Sequence, residues 1–373
     1  MTARAPLPLS GTVPAAVADR VLLQVGHRRA ARYRGRIDTS SSGLVLTGDG
    51  ALTKAVQLRE DGFDAALLVD EACYRVAAAS EEAPFPSLDN GPAPLFGDPL
   101  EHLMLAHLAF ADLALTPTGY LHAGATGALE AAAARVTRLG DPRVVFTVPV
   151  DASWLHPGPV EYLAEVLHRI AGPKAVLVGG RPDARGGAAG LARLLELVPG
   201  VGALRTGLGA FGGLARGAGF TAFGGDASMR HTVPPTSAST QAASGGGPGS
   251  PAVLFPELMD FFLGLTLAKR FDGEAPTCSC EECKGERLDR FTSMAQQIPA
   301  AGHNASSLMV WVRQLRAVDA ADRAAWWQQQ CRRALDSSAV WNARIQQLPG
   351  FTASPDLSAW AELPAHRAAQ HTG

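Results

Sequence analysis

Charge of one sign in excess is missing from this chain. Its 373 residues carry 33 Lys+Arg against 35 Asp+Glu, a formal net charge of -2. No whole-molecule attraction therefore draws it to a polyanion, and any nucleic-acid binding needs a local basic patch. Cysteine is scarce as well: five in all, an odd set that speaks against a disulfide framework. No stretch near the first residues joins a basic segment to an apolar run and a small-residue cleavage site, so the expectation is a cytoplasmic protein. Long apolar runs are also lacking. The longest, AVLFPELMDFFLGLTLA, is broken by Pro256, Glu257 and Asp260, which argues against a membrane span. What is present is a chain 47% hydrophobic and 18% charged, enough for one large domain or two ordinary ones with a buried core.

Short apolar runs recur along the first part of the chain, most of them followed by an Ala/Leu-rich amphipathic stretch, the alternation expected of βα units. The strands read as Val21 to Val25, Gly43 to Thr47, Ala65 to Val69, Gly119 to Ala123, Val144 to Val150, Ala175 to Gly179, Gly202 to Thr206 and Phe220 to Gly224. Eight parallel strands close naturally into a (β/α)8 TIM barrel, with an open doubly wound sheet as the alternative. Chemistry in such a barrel sits at the C-terminal strand ends, where this sequence places Asp70, His122, Asp151, Gly179 with Gly180 and Arg181, Arg205, and Asp226 with Arg230 and His231. An Asp after a strand serves equally as the N-cap of the next helix. The Ser/Gly/Pro-rich loop at 232–251 reads as a flexible insertion or as a lid over the barrel mouth.

Three of the five cysteines, Cys278, Cys280 and Cys283, are spaced C-x-C-x2-C, and His303 follows. Three thiolates and one imidazole make a complete tetrahedral zinc set with no open position for water, so the site expected is structural. A disulfide within the cluster would be short and strained. A redox pair accounts for two of the cysteines but not the third. A second histidine three to five residues beyond His303, as a two-histidine zinc finger needs, is absent.

This spacing, with His303–Asn304 and the apolar stretch SSLMVWVRQLRAV, resembles the zinc subdomain of the tRNA-guanine transglycosylase family, queuine and archaeosine type, which includes a branch acting on DNA. The upstream sequence is similar to the family in the same order: LLVDEACYRV offers Asp70 and Tyr74, TVPVDASW offers Asp151, and VLVGGRP offers Gly179 and Gly180. At the last strand the family reads F-D-C-x-x-P-T-R, whereas this chain reads AFGGDASMRHTVPP, with Gly224 after Phe223 and the nearest aspartate, Asp226, two positions late. The resemblance implies exchange of guanine for a 7-deazaguanine base in a nucleic acid, tRNA or DNA, through a covalent aspartyl intermediate. It implies Asp226 as nucleophile and Asp70 as general acid/base. Asp151 would read the donor edge of the base, with Tyr74, Gly179 and Gly180 lining its pocket, and Arg230 and His231 would contact a phosphate or the leaving base. Those last two serve equally as a structural pair capping the eighth strand. Two readings from other classes stay open: a non-catalytic zinc-containing barrel acting as a binding or partner subunit, and a barrel hydrolase acting on a free nucleoside through Asp70 and Asp226.

The organisation expected is an N-terminal segment at 1–20, a barrel at 21–270, a zinc subdomain at 271–320, C-terminal helices at 321–350 and a poorly ordered tail at 351–373. Trp326, Trp327 and Trp341 are expected to pack on the barrel or to form a subunit contact, which leaves a homodimer open.

Overall fold

The computed structural model describes residues 13–90, 97–179, 186–235, 249–345 and 347–364. Eight parallel strands form a closed barrel in chain order: β1 (Arg20–Gly26), β2 (Gly43–Thr47), β3 (Ala66–Asp70), β4 (Leu113–Leu115), β5 (Val144–Val150), β6 (Lys174–Val178), β7 (Gly202–Thr206) and β8 (Phe220–Gly224). Closure is made where Leu23 of β1 pairs with Leu44 on one side and with Phe223 on the other. The strands are apolar nearly throughout because both faces are covered. Leu22, Val45, Leu68, Leu115, Val145, Leu177, Leu204 and Ala222 point inward into one core. Their neighbours Leu23, Leu44, Leu67, Ala114, Phe146, Val176, Ala203 and Phe223 point outward into the core shared with the helices.

One strand differs from the sequence reading. The fourth is Leu113–Leu115, and Gly119–Ala123 lies beyond it on the rim, where Tyr120 and Leu121 make only single bridges to Ala78 and Val150. Pro117 has no N–H for the ladder and ends the strand early. The run that follows is apolar because it packs across the rim.

Helices α1 (Ala51–Glu60), α2 (Pro86–Asp89), α3 (Pro99–Leu108), α4 (Thr126–Leu139), α5 (Pro159–His168), α6 (Gly187–Leu197) and α7 (Gly209–Ala215) connect β2 through β8. Between β1 and β2 run two 3-10 turns instead, His27–Arg32 and Arg34–Arg36. After β8 a hairpin of β9 (Ala252–Phe255) and β10 (Asp260–Leu263) leads into α8 (Gly264–Phe271), α9 (Gln297–Arg316), α10 (Arg323–Ile345) and α11 (Pro355–Glu362). The outer position beside β8 is filled by α9, which packs against α7 and the turns after β1.

The C-terminal residues are not a tail up to 364. Ser354 caps α11 by accepting from the Asp356 amide, with Pro355 in the first turn. Leu357, Trp360 and Ala361, spaced as one helix face, are buried against α10 and α6. A side chain at Gly212 of α7 would meet the Trp360 ring at 2.5 Å. A separate small core joins the hairpin, α8 and the cysteine loop. In it Phe255, Phe271, Trp341 and Phe351 pack with ring centroids 5.3 to 5.6 Å apart. That core begins at the hairpin, earlier than residue 271, and Trp341 serves it as a packing residue. Among the described residues no helix is long and apolar enough to cross a membrane.

Candidate active site and metal centre

Thr277 and Arg287 bridge antiparallel and close the cysteine loop. Lys284 at φ 50° and Gly285 at φ 93° make its turn, and the Cys283 amide points at Cys280 Sγ from 3.4 Å. His303, from α9, places Nδ1 3.5, 3.5 and 3.3 Å from the sulfurs of Cys278, Cys280 and Cys283. The four donor atoms lie within 4.8 Å of one another and form a group able to hold a metal ion. Bonds of about 2.3 Å to sulfur and 2.0 Å to nitrogen in a tetrahedron set S···N edges of about 3.5 Å, so the cluster has the size such an ion needs.

The Leu254 carbonyl only accepts, so His303 Nε2 carries the proton in their 2.7 Å hydrogen bond and the Nδ1 lone pair faces the sulfurs. Asn304 holds the same strand, accepting from the Leu254 amide and donating to the Ala252 carbonyl. As thiols the cysteines share protons unequally: hydrogen bonds with Cys278 and Cys283 pull the Cys280 thiol far down, and those with Cys278 and Cys280 push Cys283 far up. A cation held there would end the conflict by making all three thiolates. Arg290, 3.4 Å from Cys283 Sγ, offsets their surplus charge. All five cysteines are free of disulfides.

At the barrel mouth Asp70 ends β3, 3% exposed. Its Oδ2 accepts from Tyr74 Oη at 2.7 Å, Gln24 Nε2 at 3.0 Å and Thr47 Oγ1 at 3.3 Å, and its Oδ1 accepts from the Ala72 amide at 2.9 Å. Burial raises the carboxyl above its ordinary value against the opposing pull of Arg205 and these donors. Burial likewise keeps the Tyr74 phenol neutral and able to donate.

Arg205 closes the network. Strand alternation would send it outward, but β7 is irregular between Ala203 and Thr206, and Arg205 sits at φ 51°, which re-aims its side chain inward. Its guanidinium donates to Tyr74 Oη at 3.0 Å and to the carbonyls of Ser228 and His231, and its amide donates to Gln24 Oε1 at 2.7 Å. A non-glycine residue held there costs about 1–3 kcal/mol of backbone strain, which marks the mouth as a place where geometry is imposed. Gln24 and Thr47 were not among the sequence candidates for the site, and Arg205 was named only as a strand-end residue without a role. The readable signal was a glutamine inside the otherwise apolar VLLQV and an arginine at a strand end.

Asp151, after β5, forms a neighbouring group. Burial acts upward on its carboxyl, but the Ser153 amide and hydroxyl and the Tyr120 hydroxyl outweigh that and hold it below its ordinary value. Gly179 adjoins this group: a side chain there would meet Tyr120 Oη at 2.4 Å and the Val150 carbonyl at 2.9 Å. The glycine thus makes room for Tyr120, which in turn reaches Asp151. Gly180 and Arg181 lie outside the described residues, as do residues 236–248 of the expected loop.

Asp226, in the turn after β8, pairs with Arg29 Nη1 at 2.6 Å and is partly exposed. Arg230 does not point into the mouth. It lies over the Phe261 ring at 3.6 Å and over Phe223, an outward residue of β8, and donates Nε to the Gly224 carbonyl at 3.1 Å. It caps the eighth strand. His231 offers its carbonyl to Arg205. The structure therefore joins Asp70 and Tyr74 directly, sets Asp151 with Gly179, and ties Asp226 to the β1 side of the rim.

No protein-family model matches the chain, and no curated protein matches it. Among solved structures, the carboxyl transferase domain from Rhizobium etli pyruvate carboxylase with pyruvate and biocytin is similar at 11% identity and a TM-score of 0.33, over 65% of this chain and 49% of that one. The same domain with 3-bromopyruvate is similar at 11% identity and a TM-score of 0.33, over 77% and 48%. The chain spans about half the length of the solved chains it matches.

Proposed function

We propose that this protein is a guanine transglycosylase acting on a nucleic acid, with a structural zinc ion held by Cys278, Cys280, Cys283 and His303. The observation that carries the reading is that Asp70, Asp151 and Asp226 stand at the C-terminal ends of β3, β5 and β8 of one closed barrel that also bears the Cys3His cluster. In this reading an oxygen of Asp226, once released from Arg29, attacks the pentose C1′. The C1′–N9 bond breaks and its electron pair leaves with guanine, which takes a proton from the carboxyl of Asp70. The incoming 7-deazaguanine gives its N9 proton to Asp70, and N9 displaces Asp226 from C1′. A carboxyl raised by burial suits a group that must carry a proton in one half of the cycle and accept it in the other. Asp151, held ionised, accepts from the donor edge of the base. Zinc supplies no chemistry here; four protein donors fill its coordination.

Trapping tests this: a covalent protein–nucleic acid adduct is expected with wild type and with Asp151→Ala, and none with Asp226→Ala. A second reading, a non-catalytic zinc-containing barrel that binds without turnover, is favoured by the Arg29–Asp226 ion pair and by the Tyr120 hydroxyl seated above Gly179. No adduct and no guanine exchange with either tRNA or DNA decides for it.

A further inference from the structure

The near-neutral charge of the chain hides one concentrated exception. Residues 27–36, HRRAARYRGR, hold five arginines and a histidine with no acid among them. This segment connects β1 to β2: it starts on the C-terminal rim of the barrel, the side on which Asp70, Asp151 and Asp226 sit, and descends the outside of the barrel to Arg34, which reaches Asp61 at the far end of α1. It is fastened there by His27 Nδ1 against the Thr47 carbonyl at 3.3 Å, by Tyr33 Oη donating to the Gly225 carbonyl at 3.5 Å, and by the Arg29–Asp226 pair. Ala30 and Tyr33, three residues apart in tight 3-10 turns, are buried; Arg28, ahead of them, is exposed, and Arg32, between them, is half-buried.

Three of those arginines already have carboxylates: Arg29 with Asp226, Arg34 with Asp61 and Arg36 with Glu282. Arg28 and Arg32 form no ion pair with any described residue. The cavity of about 390 Å³ beside the segment is different. It sets Arg36 and Arg313 against Asp38 and Glu281 and so carries no surplus.

We propose that this arginine ridge, through Arg28 and Arg32, seats the phosphodiester backbone of the nucleic acid whose base enters the barrel. The proposal rests on the transglycosylase reading for the identity of the polymer. An unpaired guanidinium presents a planar fork that matches two phosphate oxygens. The ridge is also the local basic patch that a chain of net charge -2 requires before it can hold a polyanion. RNA and DNA share this backbone chemistry, and the two arms of the test separate them.

The test is fluorescence anisotropy of the full-length protein with a labelled tRNA transcript and, separately, a labelled single-stranded DNA, each over a series of salt concentrations. For the polymer that is the substrate, Arg28→Ala with Arg32→Ala is expected to weaken binding on the order of tenfold and to reduce the slope of log K against log salt by about one per arginine. Arg28→Glu with Arg32→Glu goes further in the same direction, with thermal unfolding unchanged because neither side chain forms an ion pair with a described residue. Arg34→Ala is the matched control, and an equal loss there overturns the proposal. So does a charge-reversed protein that binds with wild-type affinity and slope. Ridge-dependent binding without guanine exchange upholds the ridge and removes the transglycosylase reading. Exchange at wild-type KM by the charge-reversed protein removes the ridge and upholds that reading.

Discussion

The barrel and the small cysteine core are held together differently. The barrel buries side chains on both faces of a closed sheet, one set inside and one beneath the helices, and neither set contains a ligand of the cysteine cluster. The small core has four aromatic rings at its centre, but two of the residues that complete it are metal-type ligands, Cys278 and Cys283. Aromatic packing shapes that region, and the polar side of its interior stays unresolved until a cation takes the three sulfurs. One sequence thus contains a self-sufficient core and a conditional one.

The most forceful way to break this comparison is to remove the metal. Purified protein is expected to contain about one equivalent of zinc. Cys283→Ser, or chelation, is expected to withdraw on the order of 10 kcal/mol from the small core, abolishing its unfolding transition while the far-UV signal of the barrel persists. Loss of both together on calorimetry would refute the separation. Next in size is Trp360→Ala, expected to destabilise the barrel by about 3–5 kcal/mol in urea titrations with zinc content unaltered, because Trp360 belongs to the outer barrel core.

Asp70→Asn probes the mouth. Because the folded carboxyl is raised above its unfolded value, its contribution is fully present below the unfolded value. It is lost as pH rises through the folded one. Wild type should therefore lose stability from the ordinary carboxylate range upward, and Asp70→Asn should flatten that part of the profile, read as urea midpoints across pH. On the transglycosylase reading, the same variant is expected to cost roughly 10²–10⁴-fold in base exchange. The smallest effect belongs to Arg143→Ala, whose exposed pair with Asp141 should leave the urea midpoint unchanged in the same titration.

The conditional core was the more legible of the two. C-x-C-x2-C is local chemistry, and its ligands are recognisable without knowing the fold. Seven barrel strands were legible because a twice-buried strand is a plain apolar run. The fourth was not, since three residues are too short to show a pattern and Gly119–Ala123 imitates one. The mouth was legible where partners are close in sequence, as Tyr74 is to Asp70. Gln24 lies 46 residues from Asp70 and 181 from Arg205, and only barrel closure brings them together. The helix at Pro355–Glu362 had its signal, a serine cap, a proline and an apolar face, in a segment whose polar flanks suggested a tail.

The position of α9 sets an order of events during synthesis. β8 can pair with β1 as soon as residue 224 is made, but the helix that covers this seam arrives only after the hairpin, α8 and the cysteine loop have been translated. His303 lies on that same helix. A chain that lacks this helix therefore leaves an apolar seam between its first and last strands uncovered. Chains truncated before α9 are expected to aggregate during expression with or without added zinc.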